Sequence, residues 1–171
     1  MMRGIIKIGL TLAAVVAVSF GPRLAQAAED VAALAKALPD ATVSLEQGLR
    51  ASEREGKPIS GKFELEDGAL QLSVYTAKAG KFSEVIVDHK SAAIKKAEPI
   101  TNAEDLKDAK EQEQAMNAAK ASLSTATAQA VRENAGYRAV SVIPAVRSGH
   151  PVAEVRLTNG TTIKAIEQKL D

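Results

Sequence analysis

The chain has 171 residues, no Cys, 22 Lys and Arg against 21 Asp and Glu, and only 3% aromatic residues. A charge so close to neutral leaves no electrostatic footprint for nucleic acid or an anionic membrane surface. The absence of Cys excludes a disulfide framework and a lipid anchor through Cys, so packing of Val, Leu, Ile and Ala must supply the stability.

Arg3 and Lys7 stand before Ile8 to Phe20, 13 mostly apolar residues with no charge. As a helix this run spans ~20 Å, short of a ~30 Å hydrocarbon core. Gly21-Pro22 ends it, and Ala25-Gln26-Ala27 has the small-x-small pattern read by signal peptidase. Residues 1–27 are expected to be a signal peptide, cut between Ala27 and Ala28, with no stable membrane anchor afterwards. The expected location is a bacterial periplasm or beyond it. Removing Arg3, Lys7 and Arg23 takes the balance to 19 basic and 21 acidic residues, a net of −2. Residues 28–171 suffice for one ordinary domain or two small ones.

Residues 28–39 read as a short helix, with Val31, Leu34, Ala35 and Leu38 at helical spacing and Pro39 as its stop. Ser44-Leu45-Glu46-Gln47 is a capping box that opens a second helix, Leu45 to about Glu55. Three strands should follow. Ile59, Gly61, Phe63 and Leu65 share one face of the first; Leu70, Leu72 and Val74 share one face of the second. Pairing Leu65 with Leu70 places Asp67-Gly68 in a four-residue loop. The third strand runs from Lys81 to Asp88. Pairing Leu72 with Val85 leaves Ala77 to Gly80 as its loop, with Gly80 at positive φ. On the opposite face Tyr75, Phe82 and Ile86 form a candidate apolar contact face, for the chain's own second half or for an external partner.

From Ser91 to Ile100 the chain is expected to leave the sheet. Thr101-Asn102-Ala103-Glu104 reads as a second capping box, starting a helix that runs to about Lys120. Its weak apolar content suggests a solvated connector. Its early acids Glu104, Asp105 and Asp108 suit the helix dipole, and an acidic ligand-binding face is the sharper alternative. Ser122-Leu123 opens another helix with Ala126, Ala130 and Val131. Strands then follow on Val140 and Val142; on Ala153, Val155 and Leu157; and on Ile163 and Ala165. Pairing Val155 with Ile163 implies a three-residue loop, Thr158 to Gly160, with Gly160 left-handed. Pro144 restricts its strand to an edge or a bulge.

Both halves thus read as a helix and then a three-stranded antiparallel meander, with Ser44-Leu45 recurring as Ser122-Leu123 at an offset of 78. The expected fold class is α+β. Tandem modules at residues 40–97 and 122–171 would each be a helix packed on a meander, joined by a connecting helix over 98–121.

Val43-Ser44-Leu45-Glu46-Gln47-Gly48-Leu49, Phe63-Glu64-Leu65 through Leu70-Gln71-Leu72-Ser73-Val74, and Phe82 to Asp88 resemble the opening helix, central hairpin and third strand of the PepSY domain family. Residues 122–171 match more loosely. The resemblance implies a cystatin-like outline. It also implies an exported setting, a proposed role in restraining peptidases, and no shared catalytic residues.

Catalytic chemistry is sparse. His89 and His150 fall in separate turns without metal-ligand spacing. Glu64 and Glu66 lie side by side on a strand, where a solvated sheet face explains them better than a catalytic pair. No phosphate-cradling Gly-rich loop is present. The expectation is a protein that is not an enzyme, needs no cofactor or metal, and binds another exported protein, with restraint of a peptidase as one role. The alternative is a small-ligand or metal-binding module.

Overall fold

The structure, a computed structural model, describes residues 31–171; the expected cleavage site at Ala27 and Ala28 lies outside the described residues. Helix α1 covers residues 31–37 and tightens into a 3-10 turn, Leu38–Asp40, which holds Pro39. Helix α2 is Leu45–Ser52. Its capping box is formed: Gln47 N donates to Ser44 Oγ (3.3 Å) and Ser44 N donates to Gln47 Oε1 (2.8 Å), which satisfies two amides of the first turn. Strands β1 (Lys57–Glu66), β2 (Ala69–Lys78), β3 (Lys81–Val87) and β4 (Ile94–Pro99) follow. Helices α3 (Ala103–Ala118) and α4 (Leu123–Arg132) lead to β5 (Arg138–Arg147), β6 (His150–Thr158) and β7 (Ile163–Lys169).

The tandem expectation is overturned. All seven strands form one sheet in the order β4-β3-β2-β1-β5-β6-β7, antiparallel throughout. β1 and β5 join through Gly61↔Val142 and Lys62↔Ser141. Buried residues from both halves belong to one hydrophobic cluster. The physical reason is that separate meanders would each leave a first strand unpaired and each would carry a thin core; pairing those strands removes both costs. The first half also has four strands rather than three. β4 escapes the sequence pattern because Lys95, Lys96 and Glu98 mask any alternation, and its pairing shifts register beside Ile86 and Val87.

Helices cover both faces of the sheet. On one face α2 lies so close that a Cβ added to Gly48 would stand 2.6 Å from Leu72 Cδ2. Leu45, Leu49, Leu72, Val74, Val85 and Val87 are buried there, and α4 packs beside α2 against the second half of the sheet. The other face receives α3. Ser60, the cross-strand partner of Tyr75, donates its hydroxyl to Gln112 Oε1 (2.7 Å). Helix α3 is therefore not a solvated connector: Ala109, Ala115 and Met116 are buried. Its N-cap is Asn102 rather than Thr101; the Asn102 side chain accepts from the amides of Glu104 and Asp105.

Two registers differ from expectation. Leu72 pairs with Val87 and Val74 with Val85, so the turn shrinks to Ala79-Gly80, both at positive φ (52° and 74°). Such a turn matches the twist of the flanking strands, and a slip of two residues keeps every side chain on its expected face. In β7 the slip is odd. Val155 pairs with Ile166 and Thr158 with Ile163, so Ile163 and Ala165 turn outward. The Asn159 side chain sets this longer loop, accepting from the amides of Thr161 (3.1 Å) and Thr162 (2.9 Å). Lys164 then faces α4, where its amine donates to Asn134 Oδ1 (2.6 Å) and lies 3.9 Å from the Tyr137 ring centroid.

Candidate binding cleft and sheet edge

The two outer strands differ in what they offer. Leu170 N donates to Pro151 O (3.0 Å), and the β6–β7 register continues this pair through Ala153↔Gln168 and Val155↔Ile166. Bonded and non-bonded pairs alternate along an antiparallel ladder. The amides and carbonyls of Ile163, Ala165, Glu167 and Lys169 therefore point away from β6, to a side where no strand pairs among the described residues. β7 contains no Pro and no register shift. On β4 the same reasoning starts from Ile100 N, which donates to Phe82 O (3.0 Å). Ala97 and Pro99 then face outward, and Pro99 has no N–H to offer. Lys, Pro and a register shift are the usual guards of an edge; β4 has all three and β7 only its Lys residues.

On the α3 face a cleft of about 380 Å³ opens between α1, α3 and the sheet. Val31, Leu34, Ile143 and Ile163 supply apolar walls, and Lys62, Tyr75, Asp105, Asp108 and Arg156 supply polar ones. Val31, Ile143 and Ile163 are 43%, 42% and 37% exposed, large apolar side chains left open at one site.

The floor beside the cleft is a polar network. Lys62 Nζ meets Glu64 Oε2 at 2.6 Å. Ser73 donates to Glu64 Oε1 (2.8 Å), and Gln71 donates to Ser73 (3.0 Å). The Tyr75 hydroxyl donates to Glu84 Oε1 (3.3 Å), and Lys62 Nζ lies 5.7 Å from the Tyr75 ring centroid. Burial pushes the Tyr75 phenol up to about 12, against the opposing pull of Lys62. Burial works to lower the Lys62 ammonium, but its bond to Glu64 and the charges of Tyr75 and Glu64 outweigh this, and the net shift is upward. These groups hold one another in place; Glu64 belongs to the network, while Glu66 is exposed.

No family model matches the chain, and no curated protein or solved structure matches it.

The candidate residues separate in the fold. Phe82 is 6% exposed and sits inside the structure, so Tyr75, Phe82 and Ile86 do not make one open apolar face. Tyr75 and Ile86 are half-buried and line a largely charged groove with Glu84, Lys96 and Glu98. His89 lies after β3, and its carbonyl accepts from Val43 N (3.0 Å). His150 begins β6, and its Nδ1 stands 2.7 Å from Asp171 Oδ2. The two are not brought together. Among the described residues no three His, Asp or Glu side chains cluster to hold a metal ion. The β7 edge and the cleft were missed in the sequence. The odd slip in β7 is set by a side-chain turn at Asn159, and the cleft joins residues from α1, α3 and five strands.

Proposed function

We propose that this chain is an exported, non-enzymatic protein that binds an extended segment of another exported protein by adding it to β7. A peptidase held in check is one such partner. The observation that carries the reading is the edge of β7, regular and without Pro or register shift. Outward main-chain groups give affinity in strand addition, and alternate side chains give specificity. The resemblance of Val43–Leu49 and Phe63–Val74 to PepSY domains supports an exported setting and a regulatory partner. Ala165→Pro tests it, because this change deletes an outward-facing N–H while the bonds to β6 stay. The wild-type chain should retain a partner from periplasmic extract, and Ala165→Pro should lose it with the fold intact by circular dichroism. Retention by both, or by neither, refutes the reading.

The cleft favours a second reading, a small-ligand module. Its volume falls in the ~300–1,000 Å³ range of ligand sites, and such sites combine apolar walls with a few polar groups.

A further inference from the structure

We propose that the cleft between α1 and α3 takes a hydrophobic cation: an apolar chain bearing an ammonium head. The proposal rests on the small-ligand reading and adds the charge of the ligand. The apolar part has its place against Val31, Leu34, Ile143 and Ile163. The sign of the head follows from which charges at the cleft are already matched. Four charged side chains line it: Lys62, Asp105, Asp108 and Arg156. Lys62 is held by Glu64 at 2.6 Å, and Arg156 Nε by Glu154 Oε1 at 3.3 Å. Both cations therefore carry their own counter-charges. Asp105 and Asp108 have no ion-pair partner among the described residues. They stand three apart on α3, hence on one side of the helix, and that side borders the cleft. What lacks an ion-pair partner at the cleft is negative charge, exposed near the start of α3 and beside apolar walls. An alkylammonium answers both, an alcohol only the walls, and a carboxylate meets repulsion.

Isothermal titration of the purified chain with decylamine, decanol and decanoate, each below its aggregation concentration and at low ionic strength, tests the proposal. Decylamine should bind roughly tenfold tighter than decanoate, the size expected of two screened charge contacts. The gap should shrink at high salt. It should close in Asp105→Asn/Asp108→Asn, with decanol unchanged. Ile143→Ser, in the apolar wall, should weaken all three probes. Decanoate binding as tightly as decylamine, or a gap that survives in the double variant, overturns the charge selection and leaves the cleft as a ligand site. Failure of all three probes to bind overturns the small-ligand reading and this proposal with it.

Discussion

Gly48 stands in the middle of α2, where glycine normally costs a helix ~1 kcal/mol relative to alanine. On an exposed helix Gly48→Ala should therefore stabilise. Here the new Cβ would lie 2.6 Å from Leu72 Cδ2, 3.2 Å from Cγ and 3.4 Å from Cδ1. Leu72 is fully buried beneath the helix, so its branched end has nowhere to retreat without moving α2 off the sheet. Overpacking of this kind costs ~1–3 kcal/mol, and the propensity gain offsets about 1 of it. The net expectation is a loss of ~0–2 kcal/mol, read as a lower urea midpoint at unchanged slope. The decisive arm is the Leu72→Ala background. That truncation alone should cost ~2–5 kcal/mol, but it removes the atoms that clash. Gly48→Ala should then change sign and stabilise by ~1 kcal/mol. The coupling between the two changes should equal the clash, ~1–3 kcal/mol. A gain of the full ~1 kcal/mol in the wild-type background, or the same effect in both backgrounds, would refute the close approach of α2 to β2.

Four further outcomes are expected. Thr127 Oγ1 is buried without a hydrogen-bond partner among the described residues, so Thr127→Val should raise stability by ~1 kcal/mol in denaturant titration. Arg138 donates to the carbonyl of Leu38 (2.9 Å) and, at 3.4 Å, to those of Ala41 and Val43; Arg138→Ala should cost ~1.5–3 kcal/mol, and a lysine should restore only part of it, because one ammonium cannot span three carbonyls. Asp88 is held well below the usual carboxylate range by Lys95 and by the amides of Lys90 and Ser91. Its contribution is whole above its ordinary value of ~4 and is lost as pH falls below that; Asp88→Asn should flatten this acid limb of a stability–pH profile, and an unchanged limb would count against the ion pair. Tyr75 in a Tyr137→Phe background should ionise at about 12 by absorbance at 295 nm. Because the folded state keeps that proton longer, stability should fall between pH ~10 and the folded value, and Tyr75→Phe should remove that fall.

Local features were legible where a few neighbouring residues decide them. The Ser44–Gln47 box, the face shared by Leu70, Leu72 and Val74, and the left-handed Gly80 and Gly160 all follow from spacing and turn chemistry. The Leu65↔Leu70 pairing does too. Legibility ended where a distant group cast the deciding vote. Lys164 looks like a solvent residue, yet Asn134 and the Tyr137 ring give it a place on the α4 side. Phe82 reads as part of an apolar contact face opposite α2, and only the fold shows that it is buried while Tyr75 and Ile86 beside it stay half-buried. α3 itself shows only Ala109, Ala115 and Met116 as a buried stripe, too faint a pattern to reveal a sheet beneath it.

The sequence by itself determined the three-strand meander of each half, though not β4, the dry face of the first meander and the serine caps that open α2 and α4. These depend on interactions within a turn or between neighbours in a hairpin, which the chain order makes unavoidable. Only the tertiary structure decided that Gly61 and Lys62 meet Val142 and Ser141, merging two meanders into one sheet with one core. That seam joins residues some eighty positions apart. Nothing local encodes it; it forms because two unpaired strands and two small cores are worse than one of each. The same merger leaves β7 as an open edge and sets Asp105 and Asp108 beside an apolar cleft.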